Sequence, residues 1–320
     1  MPYLTRRLVS FPLVLFGVSA LVFFAIRMVP GDAITAMLGT EAGLLTPAQK
    51  DALAAYFGLD QPVLTQYGRW LAGVLRGDMG ISVIYGKPVT EMVLSRFPCT
   101  LELALLSMLL ALSVGIPAGV FAATRNGRVA DLIVRVVAMV GQSTPGFVIG
   151  LVALYVLSVG FGILPQMGEY TPIWEDPLTN LGQMVLPAAT LGFAFAASVT
   201  RISRSAMLDV LTEDYVRTAR ARGVPSLSVL LRHALPNALI PVVTLSGIEF
   251  GYLLGGAVIV EQIYALPGLG RLVLDAIQQR DYALVQGAVL FIAFNFMVVN
   301  LLVDLAYFAL DPRIRVGERA

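Results

Sequence analysis

The sequence predicts an all-α, polytopic membrane protein with six transmembrane helices, because it is strongly apolar and contains several long apolar segments. Hydrophobic residues make up 57% of the 320 positions, charged residues make up 13%, and the mean hydropathy is +0.80. Soluble domains contain about 25% charged residues. A helix needs about 20 apolar residues to cross the hydrocarbon of a bilayer. Six segments reach this length, at residues 8–29, 101–123, 134–160, 183–203, 237–260 and 283–306.

The positions of the arginines predict the orientation of these helices. Arg6 and Arg7 precede the first span, so the positive-inside rule puts the N-terminus in the cytoplasm. Alternation then puts the loops 161–182 and 261–282 outside, where only Arg271 and Arg280 occur. We therefore expect both termini to be cytoplasmic. The first apolar segment is long enough to span and shows no clear small-residue cleavage pattern after it, so we expect it to stay as helix 1.

The spacing of the spans divides the chain into three predicted regions. Residues 1–29 hold the N-terminus and the first span, residues 30–98 form a helical lobe outside the membrane, and residues 99–320 form the transmembrane core. In the lobe, Thr46–Gln49 has the form of a capping box with proline at the first helical position. A cytoplasmic hairpin, residues 212–236, interrupts the core.

The hairpin is basic and lies between two long apolar segments. Asp214 is suited to cap a short helix, Gly223 suits the left-handed position beyond its end, and Pro225 stops it. We expect a second short helix from Ser226 to about Leu235. The pattern therefore predicts two short helices joined by a tight turn.

Polar residues at membrane depth identify candidate positions along a translocation path. In the third span, Gln142 and Ser143 precede Pro145, which predicts a kink. Irregular backbone is tolerated at this depth only inside protein or beside a water-filled cavity. Lining of a path and hydrogen bonding between helices are both consistent with these residues.

The fifth span has two different faces. Gly247, Gly251 and Gly255 recur every four residues, whereas Glu249 lies about 200° around the helix from Gly247. A carboxylate inside a membrane usually faces a bundle interior, a cavity or a partner. We predict that the glycines pack against a helix and that a second face lines a path, although a paired or protonated structural glutamate is the alternative. The residues of this second face are Ser246, Glu249 and Tyr252.

Composition and motifs exclude several other functions. The net charge of +1 gives no indication of nucleic-acid binding, and membrane lipid is the expected surrounding. The single Cys99 and the single His233 exclude an internal disulfide, multi-cysteine sites and two-histidine metal helices. Gly80–Pro88 is no phosphate loop, because proline stands where Ser or Thr must bind magnesium. We expect no catalytic residue, no metal and no cofactor in this chain.

Several segments together resemble the dipeptide/oligopeptide/nickel branch of ABC-importer permeases. They are Arg27–Asp32, Asp214–Pro236, Gly255–Glu261 and Pro267–Gly270. The hairpin is similar to the E-A-A-x-x-x-G-x9-I-x-L-P loop of that family: it matches at Ala219, Gly223, Leu235 and Pro236, and it departs at Arg217, Thr218 and His233. The long loop after the first span resembles that of the first, B-type permease subunit.

The resemblance implies a type I ABC-importer permease in a bacterial cytoplasmic (inner) membrane, working by alternating access. It implies a second homologous permease, an extracytoplasmic substrate-binding protein, and cytoplasmic ATPase subunits that bind ATP and magnesium. Family members carry dipeptides, oligopeptides, glutathione, nickel complexes or opines, and the sequence does not choose among these cargoes. The residues expected to couple to the ATPase are Tyr215, Arg217, Ala219, Arg220, Gly223, Leu235 and Pro236.

Two other functional classes fit the sequence less well than an importer subunit. A secondary transporter or channel without ATP coupling is the alternative, but the two halves of the chain lack the obvious repeats that such transporters show. An intramembrane enzyme needs a nucleophile or a metal set, whereas the Ser, Glu and Asp residues are scattered over different helices. An ATP-driven importer subunit is therefore the favoured prediction.

Overall fold

The structure is a computed structural model that describes residues 3–28, 45–56, 60–163 and 165–310. The remaining parts of the predicted outer lobe and of the C-terminal tail lie outside the described residues. The regular elements of the described residues are all helices, and one isolated β-bridge joins Ile81 and Pro88. The helices are α1 (Tyr3–Arg27), α2 (Pro47–Tyr56), α3 (Val63–Leu75), α4 (Val89–Thr124), α5 (Val129–Ser143), α6 (Gly146–Tyr155), α7 (Pro177–Leu211), α8 (Asp214–Ala221), α9 (Ser226–Ser228), α10 (Leu235–Gly256), α11 (Val258–Ile263), α12 (Leu269–Gln278) and α13 (Tyr282–Leu310). Two π-helical segments, Val156–Gly160 and Val229–Ala234, continue α6 and α9.

Five of the described helical stretches are long and apolar enough to cross a membrane. They are Val9–Arg27, Val89–Thr124, Pro177–Leu211, Ser226–Gly255 and Tyr282–Leu305. The remaining predicted span, the third in chain order at residues 134–160, is broken: α5 and the helix starting at Gly146 meet at 102°. The number of spans therefore reaches six when this bent pair counts as one.

The break in the third span has a local cause. Proline has no amide hydrogen and disfavours helical backbone in the residue before it. Thr144 accordingly has an extended backbone, with φ −92° and ψ 122°, and Pro145 is the N-cap of the next helix, α6. The Thr144 hydroxyl and amide both donate to the carbonyl of Val140, at 2.8 and 3.0 Å. The kink expected at Pro145 is thus a complete break between two helices, with a bend of 102°.

The first of two compact units comprises Met1–Pro98 and Pro267–Met297. Its core joins the start of α4 to α12 and α13 through Val89, Leu272 and Leu284. The capping box of α2 is confirmed, because the Thr46 amide donates to Gln49 Oε1 at 2.9 Å and the Gln49 amide donates to Thr46 Oγ1 at 3.4 Å. The apolar cluster around Val89, Leu272 and Leu284 gives the unit its own core.

The second unit comprises Cys99–Leu266 and Val298–Ala320. Its core is formed by α4, α7, α10 and α11, with Leu103, Met184 and Tyr264 fully buried. Glycines allow α4 to approach α7 closely: a Cβ on Gly119 would lie 2.6 Å from Ser203 Cβ. Each unit combines two segments that are distant in sequence. The units therefore do not test the division predicted at residues 29 and 98, which stays a prediction.

Candidate functional site

The hairpin of residues 212–236 is called the coupling hairpin after its predicted role. The N-cap of its first helix, α8, lies one residue earlier than the sequence predicts. Glu213 has the extended backbone of an N-cap, with φ −65° and ψ 147°, and Asp214 is already helical. The prediction that Asp214 caps α8 is wrong, because only Thr212 and Glu213 join α7 to α8 and Glu213 makes the turn. Asp214 still lies in the first turn of α8, where its negative charge interacts favourably with the helix dipole.

Gly223 ends α8 in the predicted left-handed conformation. Its φ is +76°, a region that glycine adopts without the steric penalty of a Cβ. The Gly223 amide donates to the carbonyl of Arg220 at 3.0 Å, and the Val224 amide donates to the carbonyl of Ala219 at 3.2 Å. This pair of bonds is a Schellman motif. Val224 packs beside Val216, which gives the motif its usual apolar contact.

The second arm of the hairpin does not end at Leu235, so that part of the prediction is wrong. Pro225 precedes α9, and α9, the π segment Val229–Ala234 and α10 form one continuous helical stretch. The Leu235 amide donates to the carbonyl of Leu230, five residues back. The π segment thus brings Pro236 into the first turn of α10, where its missing N–H is tolerated.

The hairpin has a buried face and an exposed face. Val216, Ala219 and Val229 are buried together, so the small side chain of Ala219 packs inside the chain. Leu235 is half-buried. The other residues predicted to couple to the ATPase are exposed, namely Tyr215, Arg217, Arg220, Gly223 and Pro236. The exposed face is therefore basic, and its backbone is fixed by the motif at Gly223.

The polar residues of the third span lie beside α7. Gln142 and Ser143 are exposed at the end of α5, and Gln142 Nε2 donates to Ser198 Oγ at 2.9 Å. Gln142 also lines a cavity of about 350 Å³ between α5 and α7. Ser246, Glu249 and Tyr252 do not line this cavity; they belong to α10, which packs against α7 as α5 does.

The two faces predicted for the fifth span are partly separated in α10. Gly247 is buried against α13, since an added Cβ would lie 2.2 Å from Val303 Cγ1. Gly251 is also buried, but Gly255 is exposed, so the predicted glycine ridge is shorter than three residues.

The predicted polar sector of α10 spans three levels of exposure. Ser246 is buried and its hydroxyl donates to the carbonyl of Val242 at 2.7 Å. Glu249 is half-buried and Tyr252 is 63% exposed. Exposure thus increases along the sector, from Ser246 to Tyr252.

A buried ion pair near the start of α5 was missed by the sequence reasoning. Arg204 Nε and Nη2 donate to the two carboxylate oxygens of Asp131 at 2.6 and 2.8 Å, and Nη2 also donates to Asn126 at 3.0 Å. The Gly127 amide donates to Asp131 as well. These contacts fix the short connection between α4 and α5 to α7. Asp131 and Arg204 are 73 residues apart, so no local pattern joins them.

A second group of buried polar residues lies around α11. Glu261 is fully buried, and Thr100 Oγ1 donates to its Oε1 at 2.6 Å. The hydroxyls of Tyr264 and Thr190 share a hydrogen bond of 2.7 Å. Burial raises the pKa of the Tyr264 phenol, although the bond with Thr190 acts in the opposite direction. Glu261 and Tyr264 therefore tie α11 to α4 and α7.

Two family models cover nearly the whole chain. Residues 115–316 match the inner membrane component of binding-protein-dependent transport systems, and residues 1–104 match the N-terminal part of such a membrane component. The chain belongs to this family. It is therefore a permease subunit of an ABC importer, a multi-pass protein of the inner membrane. Such permeases work with a separate ATPase and a binding protein, and they are not themselves enzymes.

Relatives of this permease match it from end to end. The glutathione transport system permease protein GsiC of Escherichia coli O6:H1 is 40% identical over 313 residues, which is 98% of each chain. GsiC of Salmonella paratyphi A is 41% identical over 314 residues, again 98% of each chain. The comparisons favour an ATP-driven importer over a secondary transporter or channel.

A solved structure has the same fold. The permease matches a chain of the inward-facing MetNI methionine ABC transporter with a TM-score of 0.53 and 18% identity. The match covers 69% of this permease and 96% of the MetNI chain. This likeness agrees with the predicted type I importer architecture.

Proposed function

We propose that this permease imports glutathione or small peptides of similar size. The observation that carries the proposal is the 40% identity to GsiC, a glutathione transport permease, over 98% of both chains. Glutathione is itself a tripeptide, so it falls within the dipeptide and oligopeptide cargoes that the sequence resemblance implies. The permease forms one wall of the path, and a second, different permease forms the other.

The coupling hairpin is the proposed docking surface for the ATPase. Arg217 and Arg220 are exposed on α8 and suit an acidic or mixed partner surface. The second arm of the hairpin runs into α10 without a break, so movement of the hairpin is passed directly to a membrane span. ATP and magnesium bind to the partner subunits, and their closure moves the hairpin and turns the path outward.

The proposed orientation follows from the arginines. Both termini and the hairpin are cytoplasmic, and the lobe formed by residues 30–98 is outside, on the side from which the binding protein delivers cargo. Within the membrane, the proposed path is lined by polar residues of α5 and α10. They are Gln142, Ser143, Ser246, Glu249 and Tyr252.

Reconstitution of the assembled transporter tests the proposed function. The permease is co-purified with its partner permease and ATPase subunits, placed in proteoliposomes, and supplied with the binding protein and labelled glutathione or dipeptide. We expect uptake that requires ATP, the ATPase and the binding protein. Uptake by this permease alone without ATP would contradict the proposal.

Crosslinking tests the docking surface separately. The cysteine present, Cys99, is buried, so single cysteines introduced at Arg217 or Arg220 provide defined attachment points. We expect both to crosslink to an ATPase subunit. A cysteine at exposed Arg76, in the predicted outer lobe, is the matched control and should give no ATPase adduct.

A further inference from the structure

The cavity between α5 and α7 is rich in arginine, and we call it the arginine cavity. Its volume is about 350 Å³. Three guanidinium groups line it together with polar and apolar side chains. The lining residues are Val134, Arg135, Ala138, Met139, Gln142, Thr200, Arg201, Arg204 and Ser205.

Two of the three arginines in the cavity make no direct ion pair. The guanidinium of Arg204 is paired with both carboxylate oxygens of Asp131. Arg135 and Arg201 are exposed, and within the described part of the chain neither makes a hydrogen bond or an ion pair. The carboxylate of Asp131 also interacts with Arg135 through its charge. One carboxylate stands against three guanidinium groups, so the cavity carries a net positive charge and favours an anion.

The arginine cavity lies toward one end of α5. Arg135 is six residues after Val129, where α5 begins, which corresponds to about 9 Å along the axis at about 1.5 Å per residue. In the proposed orientation this end is cytoplasmic. A ligand bound by Arg135 would thus lie near the depth of lipid headgroups. Gln142, proposed above to line the path, is seven residues and about 10 Å further along α5, at the deep end of the cavity.

An apolar strip on α5 adjoins the cavity. Leu132, Val136 and Met139 lie within about 100° of Arg135 around the helix at 100° per residue. They are 57%, 50% and 66% exposed. Met139 also lines the cavity itself, so the polar cavity and the apolar strip are continuous.

We propose that the arginine cavity binds the headgroup of an anionic phospholipid. Arg135 and Arg201 hold the phosphodiester, because guanidinium groups donate paired hydrogen bonds to phosphate oxygens. An acyl chain lies along the apolar strip of α5. Basic cavities between transmembrane helices on the cytoplasmic side are suited to anionic headgroups. The proposal rests on the proposed orientation, and it explains why a basic cavity adjoins an exposed apolar surface.

Lipid photocrosslinking tests this site in the assembled transporter. The complex is placed in nanodiscs that contain photoactivatable phosphatidylglycerol or, separately, photoactivatable phosphatidylcholine, and the adducts are mapped by mass spectrometry. We expect phosphatidylglycerol to label α5 and α7 in preference to phosphatidylcholine. The labelling needs neither cargo nor ATP. A permease with a different cargo would therefore still show the lipid preference, and the two proposals can fail independently.

Matched variants assign the binding to the two unpaired arginines. Combining Arg135→Gln with Arg201→Gln should lower phosphatidylglycerol labelling by roughly fivefold for each arginine removed. Arg135→Lys with Arg201→Lys keeps the charge and should retain most of the labelling. Arg128→Gln removes an exposed arginine that does not line the cavity and should change little. Arg204 is not varied, because its loss would leave Asp131 buried without its partner.

Three results would overturn the proposal. Equal labelling by the two lipids would show that the cavity has no preference for anionic headgroups. Unchanged labelling in the Arg135→Gln, Arg201→Gln double variant would place the bound lipid elsewhere. Loss of labelling on addition of excess glycerol phosphate or glutathione would identify a site for soluble anions or cargo.

Discussion

Asn237 Nδ2 donates a hydrogen bond of 2.7 Å to the phenolic oxygen of Tyr215, and this bond joins α8 to the first turn of α10. Tyr215 lies on the first arm of the coupling hairpin, and Asn237 is the first residue after its second arm. Because the second arm continues into α10, Tyr215 links the proposed docking face to a membrane span. Tyr215 is 41% exposed, so the bond competes with water and contributes modestly to stability.

Tyr215→Phe should weaken coupling more than it weakens folding. The change removes the hydroxyl and keeps the ring, so we expect a loss of about 1 kcal/mol or less in stability. The number of cargo molecules moved per ATP hydrolysed should fall, because α8 is then less firmly attached to α10. Purified complexes of equal abundance give this ratio.

Two comparisons separate this effect from a general one. Tyr85→Phe removes another exposed hydroxyl, in the other packing unit, and should leave the ratio unchanged. Combining Tyr215→Phe with Asn237→Ala should be no worse than Asn237→Ala alone, since both changes remove the same bond. Additive losses would mean that the bond is not what couples the two helices.

Gly223→Val should uncouple ATP hydrolysis from transport. At φ +76° a side chain with a Cβ costs roughly 1 kcal/mol or more, so α8 must end differently or tilt. An added Cβ meets nothing within 4 Å, so the effect comes from the backbone and not from a clash. Membrane insertion should stay unchanged, and cargo-stimulated ATPase activity is the measurement.

The chain offers a matched control for this substitution. Gly127 also has φ +76°, also has open space around its Cβ position, and lies in the connection between α4 and α5. Gly127→Val imposes the same strain away from the hairpin and should preserve coupling. Gly223→Asn should retain more activity than Gly223→Val, because asparagine tolerates the left-handed region. Full coupling in Gly223→Val, without crosslinks from Arg217, would contradict the docking proposal.

Gly247→Ala should destabilise the second packing unit. The added methyl would lie 2.2 Å from Val303 Cγ1, closer than atoms can pack, so α10 and α13 must move apart locally. Overpacking of this kind costs about 1–3 kcal/mol. We expect a lower thermal unfolding midpoint in detergent.

A compensating change and a control test the cause. Val303→Ala removes the two methyl groups nearest to the new Cβ, so the double variant should recover part of the lost stability. Gly146→Ala adds a methyl where nothing lies within 4 Å and should have little effect. A double variant no more stable than Gly247→Ala would show that the loss does not arise at this contact.

Features controlled by short sequence patterns were the most predictable. Gly223 was predicted correctly because a left-handed helix end leaves few residue choices, and Pro225 directly follows it. Long apolar segments likewise predict membrane spans from composition alone. Pro145 predicted a kink, but the proline alone does not specify the angle of 102°, and α5 and α6 each contact α7.

Features controlled by distant contacts were not predictable. Pro236 suggested the end of a short helix, yet the π segment before it lets the helix continue into α10. Nothing local indicated that Asp131 would bind Arg204 on α7, or that Ala219 would face inward. In each case, tertiary packing decided what the local pattern left undetermined.

The proposed place of Glu249 on the translocation path can be tested by the accessibility of this position to water. It is half-buried in α10, and within the described residues it has neither a hydrogen bond nor an ion pair. An unpaired carboxylate inside a membrane is costly unless it faces water or a partner. Its neighbour Ile248 is 46% exposed and lies about 100° away around the helix.

Glu249→Cys should react with a membrane-impermeant, charged thiol reagent in the assembled transporter, and bound cargo should slow the reaction. Such reagents need a thiolate in water, which forms in a path but not against lipid. Ile248→Cys is the matched control and should react slowly, while buried Cys99 should not react. Glu249→Gln, which keeps the size and removes the charge, should alter transport while the complex still assembles. Slow reaction at position 249, or equal reaction at 248 and 249, would mean that Glu249 does not line the path.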